Sequence, residues 1–190
     1  MTARYRIRRG RRHPRRVHAA GTAVTAVLAL AGCGTAGYGA PVAPTSMLVK
    51  SEALISGTLT QRYTCHGRKI NPPLNWSGAP QGTKSLALIV DDSSAPITPF
   101  IYWLVFDINP GATDIQENSL PTGARQAMNS ASTPTYDAPC PDSGRHSYRF
   151  TVYALNKTLA LPNGAPLQSV WRAIAAATIG RGRIVVSTSP

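Results

Sequence analysis

Two short polar segments hold most of the side chains that could do chemistry together in this 190-residue sequence. Asp91-Asp92-Ser93-Ser94-Ala95-Pro96 follows the apolar run Leu86-Ala87-Leu88-Ile89-Val90. Pro139-Cys140-Pro141-Asp142-Ser143-Gly144-Arg145-His146-Ser147-Tyr148 precedes Phe150-Thr151-Val152-Tyr153-Ala154-Leu155. A carboxylate beside an imidazole can exchange a proton as general acid and base. It can also orient the ring, favour its charged form and so help it hold an anion. The two loops hold acids, a histidine and tyrosines that can converge on one small pocket; Asp92 is read as the inward acid, and Asp91 as a solvated turn residue. Ser94 and Ser147 lie in the same loops, but neither sits in a G-x-S-x-G nucleophile elbow. The sequence assigns no catalytic residue, no metal and no cofactor.

Such loops need strands to carry them, because rigid elements present chemistry through the loops at their ends. Lys84 to Val90 is an apolar run of buried-strand length. Phe100 to Ile108 is aromatic and β-branched and stops at the turn signal Asn109-Pro110-Gly111. Tyr148 to Leu155 is a third strand, with Tyr148, Phe150, Val152 and Ala154 on one face. Leu54 to Leu59 reads as an early strand and Ile184 to Ser187 as a short closing one. Leu167, Val170, Trp171 and Ile174 have helical spacing, with Pro166 suited to the first turn and Gly180 to the C-cap. Gly111 to Tyr148 has little strand character and reads as an ordered, functional loop. Trp76 and Trp103 read as core. The expected fold is mainly β, an antiparallel β-sandwich with a peripheral C-terminal helix.

The N-terminus has a different purpose. Residues 4–16 carry eight arginines and no acid, and 19–31 form a short apolar run too brief to span a bilayer comfortably. This is the layout of an export signal. Leu30-Ala31-Gly32-Cys33 has the pattern of a bacterial lipobox, in which Cys33 is diacylated and becomes the new N-terminus. Residues 1–32 are therefore read as a lipoprotein signal peptide, 33–46 as a flexible tether rich in small residues, and 47–190 as one domain. The expected location is the bacterial cell membrane, lipid-anchored and facing the extracytoplasmic side. Of the net +12, the signal carries +8, and the remaining 12 basic and 8 acidic residues leave only +4. Nucleic-acid binding is thus not the reading of the high pI. Lys50, Arg62, Arg68, Lys69, Lys84, Arg125, Arg145 and Arg149 are scattered, with only Arg181-Gly182-Arg183 clustered, and read as a solvated surface or as weakly attracted to anionic headgroups.

With Cys33 lipidated, Cys65 and Cys140 remain as an even pair in an oxidising setting, which favours a disulfide. The rival is a metal site using both thiols with His66 and His146, and free thiols are a third possibility. Cys65 and His66, being adjacent, are expected to point in different directions, which makes joint ligation awkward.

Six segments in order resemble the phosphatidylethanolamine-binding protein family, which includes the Raf kinase inhibitor proteins, and in particular its bacterial branch. They are Tyr63-Thr64-Cys65-His66-Gly67, Asn71 to Gly78, Gly82 to Leu88, Asp91 to Pro96, Tyr102-Trp103, and Pro139 to Tyr148. The resemblance runs over about residues 50–188. It implies a β-sandwich with a small pocket for phosphate-like anions and phospholipid headgroups. It puts the pocket acid on Asp92, the following proline on Pro96, the wall prolines on Pro139 and Pro141, and the histidine and tyrosine on His146 and Tyr148. Where the family usually has a histidine before the tryptophan, this chain has Tyr102, which donates one hydrogen bond but carries no positive charge at neutral pH. Ser94 and Ser147 likewise stand where an acid and a basic residue are common. The implied function is a non-enzymatic, membrane-anchored binding protein for a small anion or phospholipid headgroup. Inhibition of an envelope or host protease is the alternative, and an acid–base enzyme using Asp92 and His146 a weaker one.

Overall fold

The residues from Ser85 to Asp92 are buried without exception, and a strand buried on both faces needs cover on both sides. The computed structural model shows that cover; it describes residues 44, 47–54, 56–95, 98–140 and 144–188. The expected signal, Cys33, the tether apart from residue 44, Pro96 and Pro141 lie outside the described residues. The elements in chain order are β1 (Leu48–Lys50), β2 (Leu74–Ser77), β3 (Ser85–Asp92), β4 (Phe100–Ile108), β5 (Asp114–Ile115), β6 (Arg125–Gln126), β7 (His146–Leu155), α1 (Leu167–Ala177) and β8 (Thr178–Thr188). All strand pairings between them are antiparallel. One sheet has the order β1-β2-β5 and the other β6-β4-β3-β7-β8, with β3 at the centre.

Strand alternation divides the large sheet into two faces. Leu86, Leu88 and Val90 of β3 and Phe150, Val152 and Ala154 of β7 face the small sheet, packing with Val49, Leu74, Trp76 and Ile115. Ala87, Ile89, Leu104, Phe106, Tyr153 and Leu155 face the other way, against Val170, Trp171 and Ile174 of α1. The sandwich with a helix near the C-terminus is therefore as expected, and both expected tryptophans, Trp76 and Trp103, are core.

The differences have local causes. Among the described residues of 54–59 no strand forms: a 3-10 turn at Glu52–Leu54 precedes Gly57 at φ 70°, and Thr58 makes an isolated bridge to Ser187. β8 begins where α1 ends, so Gly180 pairs with Ala154 inside a strand instead of capping the helix. β8 is an edge strand whose backbone is covered by Met47 N–H donating to Arg181 and Leu59 N–H donating to Ser187. A Cβ at Gly182 would lie 2.4 Å from the Met47 carbonyl, so this close approach requires glycine. β3 continues through Asp91 and Asp92, and β7 starts at His146. Among the described residues from 111 to 145, the strands are the two-residue β5 and β6. This stretch is ordered in part by Asn129, which accepts from the Ala131 and Thr133 N–H and donates to the Tyr102 and Thr135 carbonyls.

Candidate functional site

Neighbouring residues of a strand face opposite ways, so Asp91 and Asp92 leave the sheet on different sides. Asp92 shares the face of Val90 and lies opposite Tyr148 in the register. His146 is the diagonal neighbour, and its Nδ1 lies 2.7 Å from Asp92 Oδ2. The carboxylate is 5% exposed and the imidazole 32%, so the pair sits at the rim. Asp92 Oδ1 accepts the Ser94 N–H at 2.7 Å, closing an Asx turn. Ser94 Oγ in turn accepts the Ser147 N–H at 2.9 Å, and Ser93 N–H donates to the Ser147 carbonyl at 2.8 Å. The two polar segments picked out in the sequence are thus clipped together. Ser94 Oγ serves that clip, which argues against its use as a nucleophile.

Tyr148 is fully buried, and its hydroxyl lies next to those of Thr188 and Tyr102 without a well-formed hydrogen bond among the described residues; Thr188 Oγ1 likewise has none. Burial pushes the Tyr148 hydroxyl pKa up. The His146 ring lies nearly parallel to the Tyr148 ring, with centroids 6.1 Å apart. Tyr102 arrives by a different device. Val90 pairs with Trp103 and Asp91 with Ile101, so Tyr102 is the extra residue of a β-bulge. Its ring meets Tyr148 edge-on at 5.6 Å and Phe100 at 4.7 Å. Burial above all, then Tyr148, Asp92 and Asp137, drive its pKa far above the ordinary tyrosine value, so it stays a neutral donor.

Tyr102 also lines a cavity of about 390 Å³ with Cys65, Lys69, Phe100, Tyr136, Asp137, Ala138 and Cys140. Cys65 and Cys140 form a disulfide with Cα atoms 5.1 Å apart, and the Cys65 N–H donates to the Pro139 carbonyl. His66 does approach the two sulfurs, within 4.8 Å, contrary to the expectation that it points away. The sulfurs are nevertheless bonded to each other, and His146 is held by Asp92 rather than by this cluster. The loop carrying Cys65 is anchored by Glu117, which accepts from Arg62 Nε at 2.8 Å and the Tyr63 hydroxyl at 2.9 Å, with Arg68 3.5 Å away. The Arg62 hydrogen bonds are the main cause that lowers the Glu117 pKa to about 2.

Asp91, by contrast, faces away and is buried against Arg149, whose Nε donates at 2.9 Å. It is not the solvated turn residue expected from the sequence. Its pKa is raised by burial, which outweighs the opposing pull of Arg149. On that side of the sheet another cavity, of about 400 Å³, is lined by Thr98, Pro99, Ile101, Asn129, Ser130, Leu167, Gln168 and Trp171. It has no titratable side chain.

Of the residues singled out in the sequence, Asp92, Tyr102, His146 and Tyr148 come together. Pro139 is buried beside the disulfide, outside the set that lines the 390 Å³ cavity. Lys69, Phe100, Tyr136 and Asp137 were not anticipated. Lys69 and Asp137 each lie within four residues of a disulfide cysteine, which was the only sequence signal that they share a wall.

The sequence profile of the phosphatidylethanolamine-binding protein family matches residues 49–189. A UPF0098 protein of Methanothermobacter thermautotrophicus is 41% identical over 134 residues, 68% of this chain and 89% of its own length. A Mycobacterium tuberculosis protein named as a lipoprotein, LppC, is 39% identical over 126 residues, 65% of this chain and 62% of its own length. Among solved structures, Escherichia coli YbcL, described as a new member of the mammalian PEBP family, superposes with a TM-score of 0.71 at 28% identity. That match covers 77% of this chain and 99% of YbcL.

Proposed function

The chain belongs to the phosphatidylethanolamine-binding protein family, and from that premise we propose that it binds a small phosphate-like anion, free or as a phospholipid headgroup, at Asp92, Tyr102, His146 and Tyr148. Pro139, with Pro96 and Pro141 beyond the described residues, belongs to the walls of this site in the same reading. The observation that carries it is the Tyr148 hydroxyl, buried beside the Asp92–His146 pair and next to the Thr188 and Tyr102 hydroxyls, yet without a well-formed hydrogen bond to either. A buried polar group left unsatisfied costs about 1–3 kcal/mol, and an anion oxygen accepting from Tyr148 removes that penalty. His146, oriented by Asp92, supplies positive charge when protonated, and Tyr102 adds a neutral donor. Ser94 Oγ is engaged by the Ser147 N–H and lies in no nucleophile elbow, so binding is favoured over catalysis.

The same proposal places the site at a membrane. Residues 1–32 act as the export signal, Cys33 carries the lipid, 34–46 form the tether, and 47–190 form the binding domain outside the cytoplasm. The likeness to a relative named as a lipoprotein supports the anchor.

In the full-length protein, titration with inorganic phosphate is expected to shift the His146 imidazole NMR resonances, and His146→Ala to abolish the response elsewhere in the site. No change at millimolar phosphate would contradict the proposal. Cys33→Ala is expected to move the protein out of the membrane fraction, and unchanged partitioning would contradict the anchor.

A further inference from the structure

The cavity beside Tyr102 is larger than an anion alone requires. A water's share of liquid volume is about 30 Å³, so about 390 Å³ holds roughly a dozen water-sized groups. Its wall carries one cation and one anion. The Lys69 ammonium makes no hydrogen bond or ion pair among the described residues, and neither does the Asp137 carboxylate. They are not paired with each other within 4.0 Å, although both belong to the same wall. Each is nonetheless fixed at its backbone. The Asp137 N–H donates to the Tyr102 carbonyl at 3.0 Å. Lys69 sits at φ 57° directly after Arg68, whose N–H donates to the Arg62 carbonyl at 2.8 Å. That left-handed conformation is uncommon for a residue with a side chain.

Tyr102 joins this cavity to the anion site, because its hydroxyl feels both Asp92 and Asp137 and its ring touches Tyr148. Around it, among the described residues, stand the carboxylates of Asp92 and Asp137, neutral phenols and, in the cavity wall, the cation Lys69. A second phosphate-like anion would meet Asp137 unfavourably. A bare ammonium would satisfy Asp137 and leave the exposed Lys69 to solvent. A ligand carrying both charges complements both walls.

We propose that Lys69 and Asp137 form a zwitterion subsite that selects a phosphomonoester or phosphodiester bearing a carboxylate and an ammonium group, the chemistry of a phosphorylated serine headgroup. This assignment rests on the anion-site reading for the phosphate end. The Lys69 ammonium receives the carboxylate, the Asp137 carboxylate receives the ammonium, and Phe100, Tyr102 and Tyr136 line the space between.

Calorimetric titration of the full-length protein in detergent tests this with inorganic phosphate, phosphoethanolamine and O-phosphoserine. One charge-assisted contact should make O-phosphoserine bind about tenfold more tightly than phosphoethanolamine. Lys69→Met should erase that difference while leaving inorganic phosphate unchanged, and Lys69→Arg should preserve it. Asp137→Asn should weaken phosphoethanolamine and O-phosphoserine alike. Short-chain phosphatidylserine, run beside free O-phosphoserine, distinguishes a lipid source from a soluble one by which binds more tightly. Phosphate binding with no gain for O-phosphoserine, or a gain that survives Lys69→Met, overturns the subsite alone. Failure of inorganic phosphate to bind overturns the anion site beneath it.

Discussion

Asp91 and Asp92 are neighbours in one strand, equally buried, and they have opposite fates. Asp91 faces the helix side and meets Arg149, a permanent cation on the adjacent strand whose side chain is 20% exposed. Asp92 faces the sandwich side and meets His146, a titratable ring 32% exposed, beside an unsatisfied tyrosine hydroxyl. Arginine stays charged throughout the physiological range, so the first pair is a fixed element of the fold. Histidine changes charge within it, so the second can respond to a ligand or a proton. The lesson is that the partner, more than the acid, separates the structural carboxylate from the one proposed for the site: burial alone would have ranked the two together.

The comparison can be broken most severely at the disulfide, which ties the cavity wall on the Asp92 side and has no counterpart on the other. Replacing Cys65 and Cys140 by alanine frees a loop of 75 residues, with an expected loss of about 4 kcal/mol in the chain-entropy account. Chemical denaturation in oxidising and reducing buffer measures it; equal stability in both would contradict the role of the bond. Next in size is Arg149→Met, which strands Asp91 in the sheet and is expected to cost about 3 kcal/mol. Adding Asp91→Asn should recover much of that loss. If the single variant were as stable as the parent, Asp91 would not depend on its partner.

His146→Ala belongs at the other end of the stability scale. Removing a rim imidazole should change folding stability by less than about 1 kcal/mol while removing the phosphate response. A variant that unfolds instead would place His146 with Arg149 as a structural residue. The smallest effect concerns Glu117, outside both pairs. Its folded pKa of about 2 lies below the ordinary 4.5, so the unfolded state binds more protons between those values. Its contribution is present above about 4.5 and is lost as the pH falls towards 2. Glu117→Gln should flatten the decline of stability over that window, and an unchanged slope would contradict it.

The large sheet was legible because β3, β4 and β7 are apolar runs bounded by clear turn signals. β8 was cut short in the sequence reading because Gly180, Arg181, Gly182 and Arg183 lack strand character. They form a strand because the neighbouring β7 and the close approach of Met47 demand it. Leu54 to Leu59 has strand composition, yet Gly57 turns the chain. Asp92, His146 and Tyr148 were legible as a group from alternation and from the family's pattern. The burial of Asp91 was not, since its partner lies 58 residues away and looks like any surface arginine. Lys69 was hidden in the same way: among scattered basic residues, only the folded cavity distinguishes it from the rest.

The central claim is that the Asp92 side of the sheet holds an anion and the Asp91 side does not. A crystal of the full-length protein soaked in tungstate, a phosphate mimic with strong anomalous scattering, tests this directly. An anomalous peak within hydrogen-bonding distance of the Tyr148 hydroxyl and the His146 ring is the expected result. A peak only in the helix-side cavity lined by Ile101 and Trp171, or none near Tyr148, would contradict it.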